Sequence, residues 1–276
     1  MKKRFNKWWL PKTDKHIVEQ LAEDTDKNRG CNYQTSQRDY TLNFAGKFLS
    51  RRRTAIDIGA HVGLWAVDIA NYFTKVVCFE PVPEFVECLE ANLKDRNIEN
   101  YEIHCCALGE KESNERKIVI EKENTGNSHL ELNPSPDTNK KILDTVIKPL
   151  DSFKIQQVDL IKIDAEGYEW QVLQGAEKTI ELNKPIIVLE YKNKNTSLGV
   201  FSTMKHWLYD RGYKIDNWIH SEVIFYHKDS ILRNWDKGKK EQKEEDYPQL
   251  IKILEPDYRK YDSGKSSSGQ VTVHED

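Results

Sequence analysis

The sequence predicts an α/β protein built on a doubly wound, mostly parallel sheet of seven strands, with an antiparallel hairpin at its end. Three observations carry this. Short apolar, β-branched runs alternate with amphipathic stretches from Arg53 to Glu190, the rhythm of parallel strands joined by helices. The first run, Thr54–Ile58, leads into a glycine-bracketed turn, Gly59-Ala60-His61-Val62-Gly63, and then a helical pattern from Leu64 to about Tyr72. The last two runs, Tyr213–Ile219 and Glu222–His227, are separated only by His220-Ser221, a link short enough to force antiparallel pairing.

The 276 residues suit one large domain with appendages: a helical lead-in over 1–52, a main domain over 53–228 and a charged tail over 229–276. In the lead-in, Ile17, Val18 and Leu21 mark a helix over His16–Ala22, and Leu42, Phe44, Phe48 and Leu49 mark a second. The loop Cys31–Arg38 between them either folds over the site or merely joins two helices, and joining is the commoner role of loops.

In the main domain the second strand is Lys75–Glu80, ended by Pro81 and Pro83, and the helix Glu84–Lys94 puts Phe85, Cys88, Leu89 and Leu93 on one face. The third strand is Tyr101–Ala107. Residues 110–150 break the rhythm: a strand over Arg116–Glu123, a turn over Asn124–His129, a Pro/Asn-rich loop over Leu130–Lys140 and a strand over Val146–Leu150 read as a hairpin-like insertion. The fourth strand, Val158–Ile163, runs into Asp164-Ala165-Glu166-Gly167, followed by a helix from Tyr168 to about Leu182. Lys184-Pro185 opens the fifth strand, Ile186–Glu190, and a helix over Met204–Asp210 closes at Gly212. In the tail, Trp235 and Leu250–Leu254 suggest a docked helix, and the Ser/Gly-rich end reads as disordered. Gly264-Lys265-Ser266 looks like the end of a phosphate loop, but Arg259 stands where its first glycine is required.

Lysine and arginine total 42 against 45 acidic residues, a net charge of -3 that argues against a general nucleic-acid binder. The 5 cysteines form no C-x-x-C pair and read as reduced thiols of a cytoplasmic protein. The basic start lacks a signal-length apolar core, and no run is long enough to span a membrane. Without a secretory signal the sequon Asn195-Thr196-Ser197 means little.

The turn selects among cofactors. A dinucleotide fingerprint needs G-x-G-x-x-G so that backbone can press on a pyrophosphate. Counting from Gly59, His61 and Leu64 occupy the second and third glycine positions, leaving the pattern D-x-G-x-x-x-G with Asp57 at the strand end. An acid there repels pyrophosphate and suits a cationic amino group; S-adenosylmethionine (SAM) carries an ammonium and a sulfonium and no phosphate. Glu80, ending the second strand, is placed to accept both ribose hydroxyls. Adenine would lie near Cys106-Ala107-Leu108. The expected cofactor contacts are Asp57, Gly59, Ala60, His61, Gly63, Glu80, Pro81, Ala107 and Asp164.

Ligands of open parallel sheets sit at the strands' carboxyl ends, where Asp164 and Glu190 end the fourth and fifth strands. The fourth strand lacks the Asn/Asp-Pro-Pro-aromatic signature of amino-methylating enzymes, and there is no Pro-Cys nucleophile, so a hydroxyl acceptor is expected. Methyl transfer to an alcohol needs a positioned oxygen and a group that takes its proton. Asp164 is the first candidate, Glu190 the second and His129 the third. Asp164, Glu166 and Glu190 could also hold Mg²⁺, but carboxylates serve other ends readily and a required metal is not favoured.

Two blocks, Ala55–Gly63 and Val158–Glu169 with its continuation to Gly175-Ala176, resemble the FkbM family of SAM-dependent methyltransferases. Leu150-Asp151-Ser152 and Asn124-x-Gly126-x-Ser128 look like further family elements, and the likeness covers about residues 53–192. Ala165 stands where the family usually has valine. The resemblance implies a class I methyltransferase, Rossmann-like fold and O-methylation, often of sugars or polyketide-like alcohols. A carbohydrate or small-molecule acceptor is therefore expected, with no nucleic-acid partner. Two other readings are an NAD-linked oxidoreductase, which the failed fingerprint opposes, and a noncatalytic SAM-binding scaffold, which has no reason to keep Asp164, Glu166 and Glu190.

Overall fold

The computed structural model describes residues 2–5, 7–22, 34–191 and 198–230. Cys31, the sequon at 195–197 and the expectations for 231–276 lie outside them. In chain order the elements are β1 (Lys2–Phe5), β2 (Trp8–Pro11), α1 (His16–Ala22), α2 (Thr35–Phe48), β3 (Thr54–Ile58), α3 (Leu64–Ala70), β4 (Lys75–Phe79) and α4 (Pro83–Lys94). There follow β5 (Tyr101–His104), β6 (Ala107–Leu108), β7 (Lys117–Glu121), β8 (His129–Glu131), β9 (Lys140–Asp144) and β10 (Ile147–Lys148). The rest are β11 (Val158–Ile163), α5 (Glu169–Gly175), α6 (Glu177–Asn183), β12 (Ile186–Glu190), α7 (Leu198–Asp210), β13 (Tyr213–Ile219) and β14 (Glu222–His227).

The main sheet has seven strands in the order β13-β14-β12-β11-β3-β4-β5. Five are parallel, and β14 runs antiparallel to both β12 and β13. The chain winds outward from β3 to β5, then returns to the other side of β3 as β11. The strand order therefore reverses between β3 and β11, and a crevice opens at their carboxyl ends. Ala55, Val76, Cys78, Leu160, Val188 and Ile224 belong to one core, with α2, α3 and α4 residues. Ile56, Val77, Ile161, Ile187 and Phe225 belong to the other, with α5, α6 and α7 residues. Burial on both faces explains the near-continuous apolar runs.

Several elements differ from the sequence expectation. The lead-in opens with a β-hairpin, β1–β2, rather than with helix alone. Trp8 and Leu10 alternate inward to the core, and Asn92 of α4 clamps Trp9 by accepting its N–H at 2.7 Å and donating to its carbonyl at 2.9 Å. The third strand stops at His104, and Ala107–Leu108 pairs instead with β10. The insertion is a three-stranded antiparallel sheet, β8-β7-β9, so the segment read as loop contributes strand at both ends. Pro83 begins α4, as its fixed φ suits a first helical position. The helix expected over 168–182 is two, broken at Ala176. A side chain on Gly175 would sit 1.9 Å from the Gly109 carbonyl oxygen, and Asp151 caps α6 by accepting the Lys178 and Thr179 N–H groups at 2.9 and 2.8 Å. Helix α7 starts at Leu198, earlier than expected. Among the described residues no helix is long and apolar enough to cross a membrane.

Candidate active site

Sheet register gathers charge at the crevice. Lys162 pairs with Asp57 across β11 and β3, and Glu190 pairs with Glu222 across β12 and β14. With a period of two, Asp164 follows Lys162 on the same face. The Lys162 ammonium donates to Asp164 Oδ2 at 2.8 Å and lies 5.5 Å from the Trp65 ring centre. Lys162 is 2% exposed; burial works against its charge, but Asp164, Asp57 and Glu222 outweigh it and hold its pKa above the ordinary lysine value. Asp57 is wholly buried, and neither carboxylate oxygen makes a hydrogen bond of good geometry. Burial pushes its pKa up to about 6 despite Lys162.

The glycines of the turn serve the backbone. Gly59 has φ +75°, and a Cβ there would lie 1.8 Å from the Asp164 carbonyl oxygen. Only glycine lets the ends of β3 and β11 close together, where Asp164 N–H donates to the Ile58 carbonyl at 3.1 Å. Gly63 has φ +91° and fits beneath Leu89. The N–H groups of Gly59 and Ala60 both donate to the Phe79 carbonyl. Glu80 locks the turn to the next loop, its Oε2 accepting the His61 N–H and its Oε1 the Val82 N–H, each at 2.9 Å. Burial raises Glu80 to about 7, against the lowering effect of these bonds.

A cleft of about 360 Å³ opens here. Of the residues expected from sequence, Asp57, Gly59, Ala60, His61, Glu80, Pro81, Ala107, His129 and Asp164 line it. Gly63 is not among its lining residues, nor is Glu190, although the latter's carboxylate lies within 4.8 Å of those of Asp164 and Glu166. Both His129 ring nitrogens are engaged, Nδ1 with the Asn127 carbonyl at 2.9 Å and Nε2 with Glu131 Oε1 at 2.8 Å, so a base role would require it to leave one partner. The Asp164–Gly167 loop is held by Glu169, whose Oε1 accepts the Ala165 and Gly167 N–H groups at 3.0 Å. Burial raises the Glu169 pKa.

Sequence reasoning missed Lys162, Trp65, His16 and Gln34 as cleft residues. Of the stretch Cys31–Arg38 expected as loop, Thr35–Arg38 are the first turn of α2, and Gln34, the residue before it, accepts the Trp65 indole N–H through Oε1 at 2.9 Å and forms part of the cleft wall. Only the lysine carried a signal, being a charge inside an apolar strand. The walls contributed by the lead-in depend on long-range packing. Cys78, Cys88 and Cys106 are buried free thiols with pKa values pushed up by burial, and Cys105 is an exposed one.

This donor set suits a cationic nucleoside. Asp57 offers two buried oxygens to an ammonium, and each Glu80 oxygen keeps a lone pair for a ribose hydroxyl. A divalent cation would find its oxygens in Asp164, Glu166 and Glu190. The family model described as the methyltransferase FkbM domain matches residues 57–215. Methyltransferase 1 of Beauveria bassiana (strain ARSEF 2860) is 22% identical over 183 residues, covering 58% of this chain and 72% of its own. The structure of methyltransferase FkbM from Methylobacillus flagellatus KT aligns with TM-score 0.47 and 18% identity, over 76% of this chain; this chain spans 58% of that one. SMU.1697c from Streptococcus mutans, solved in complex with SAH, aligns with TM-score 0.43 and 10% identity, over 68% of this chain and 94% of its own.

Proposed function

The chain belongs to the FkbM methyltransferase family, and on that premise we propose that it is a SAM-dependent O-methyltransferase acting on a hydroxyl of a sugar, glycan or small hydroxylated molecule. One observation carries the reading. Asp57, Glu80, Asp164 and Glu166 line the cleft, and Lys162 is the single lysine or arginine among its described lining residues. That excess of negative charge favours an ammonium and a sulfonium and disfavours a dinucleotide's pyrophosphate.

When bound, SAM supplies an electrophilic methyl group. The chain's own residues do the rest. Asp57 holds the ammonium and Glu80 the ribose diol. Asp164, held in place by its bond from the Lys162 ammonium, orients the acceptor hydroxyl and accepts its proton, with Glu190 beside it. His129 is the further candidate, through the insertion. Lys162 already bonds one Asp164 oxygen, which favours a site that works without a metal. The near-balanced charge supports an acceptor other than nucleic acid, and the free thiols support a cytoplasmic setting.

The test is transfer of labelled methyl from SAM to a panel of glycans, sugar nucleotides and small alcohols, with RNA as a further acceptor and with and without chelator. Chelator-insensitive labelling of hydroxylated acceptors, lost in Asp164→Asn, supports the reading. Labelling of RNA alone, or of nitrogen in any acceptor, sinks it.

A further inference from the structure

His61 occupies the middle of the turn in a left-handed conformation, φ +49°, uncommon for a non-glycine residue though histidine is among those that adopt it most readily. Its ring packs edge-on against Phe85, with centroids 4.5 Å apart. Its Nε2 lies 2.8 Å from Thr125 Oγ1 in the insertion. The Thr125 hydroxyl in turn bonds Asp14 Oδ2, which also accepts the Thr125 N–H at 3.1 Å. Asp14 Oδ1 accepts the Ile17 N–H at 2.7 Å, capping α1. Asp14 and Thr125 are both essentially buried.

The proton order follows from donors and acceptors. Both Asp14 oxygens accept backbone N–H groups, so the Thr125 hydroxyl donates to Asp14 and its oxygen must accept from His61 Nε2–H. The other ring nitrogen, Nδ1, then carries the lone pair, makes no hydrogen bond to a described residue, and belongs to a side chain that lines the cleft. Burial lowers the imidazole pKa to about 4, which keeps the ring neutral.

We propose that Asp14 and Thr125 are positioning residues for His61, fixing it as the neutral Nε2–H tautomer so that Nδ1 accepts a hydrogen bond from a donor group of the bound cofactor. The relay ties three distant segments to one ligand contact: the lead-in, the insertion and the glycine turn. It rests on the cofactor reading above for the ligand, and on the hydrogen-bond geometry of a buried ring for the tautomer.

The experiment therefore has two independent arms on the full chain. Nitrogen-15 NMR of histidine-labelled protein without ligand, with His61→Asn used to assign the signals, should show His61 Nε2 protonated and Nδ1 unprotonated. Thr125→Val and Asp14→Asn should give mixed tautomers, and Thr125→Ser should restore the single one. Calorimetry with S-adenosylhomocysteine (SAH) should show about five- to tenfold weaker binding for Thr125→Val, recovered in Thr125→Ser. A His61 Nδ1–H tautomer in the wild type overturns the relay whether or not SAH binds. Wild-type affinity in a Thr125→Val protein overturns the link to the ligand. Absence of SAH binding to the wild type defeats the cofactor reading, and the tautomer arm still decides the relay.

Discussion

Binding of SAH should expel protons, by an amount fixed by the two buried acids. In the free protein burial places Asp57 at about 6 and Glu80 at about 7. At about pH 6.5 Glu80 is then protonated in about three-quarters of molecules and Asp57 in about one-quarter, together about one proton. An ammonium against Asp57 and a diol donating to Glu80 both favour the carboxylates, so occupancy lowers both pKa values. Binding should release about one proton at roughly pH 6.5 and close to none at roughly pH 8.5. Titration calorimetry in buffers of different ionisation enthalpy counts these protons from the slope of observed enthalpy against buffer enthalpy. Glu80→Gln should reduce the release to about a quarter of a proton. Saturable binding with no buffer dependence at the lower pH, or with proton uptake, would refute the assignment of these carboxylates to the ligand.

Further outcomes follow from the same geometry. The raised Glu80 pKa stabilises the fold fully below its unfolded value of 4.5 and is lost as pH rises through about 7; that contribution is about 3 kcal/mol, and Glu80→Gln should flatten the corresponding part of a stability-versus-pH curve from urea unfolding. Gly59→Ala forces a Cβ to 1.8 Å from the Asp164 carbonyl oxygen; with about 1–2 kcal/mol of left-handed strain added, it should lower unfolding free energy by at least about 2 kcal/mol, and a loss under half that refutes the close-approach argument. Lys162→Met removes the ammonium beside buried Asp57 and should cost about 3–5 kcal/mol, less at low pH as Asp57 protonates; equal thermal shifts at low and neutral pH would count against it. Asp151→Ala removes the cap of α6 and should cost about 1–2 kcal/mol in denaturant unfolding; an unchanged midpoint contradicts it.

The parallel strands were legible because burial on both faces writes them as unbroken apolar runs, and the two-residue His220-Ser221 link left the final hairpin no other pairing. Asp57 and Glu80 stood out as acids ending such runs. Lys162 was visible, but its meaning depended on a register that places it beside Asp57. The β1–β2 hairpin was hidden because only Trp8 and Leu10 alternate inward among many basic neighbours, too short a pattern to outweigh the charge. The break at Ala176 depends on Asp151 and Gly109, both distant in sequence. His61 read as a residue that spoils a dinucleotide motif and as one cofactor contact among several, with no partner of its own in view. Its partners Thr125 and Asp14 come from the insertion and the lead-in, where sequence spacing says nothing of contact.

The central claim is that the cleft over Asp57 and Glu80 takes SAM. Equilibrium dialysis of labelled SAM and labelled NAD against the full chain tests it most directly. The account predicts saturable binding of one SAM per chain, weakened at least about tenfold by Asp57→Asn, and no retention of NAD. Retention of NAD with none of SAM would contradict it.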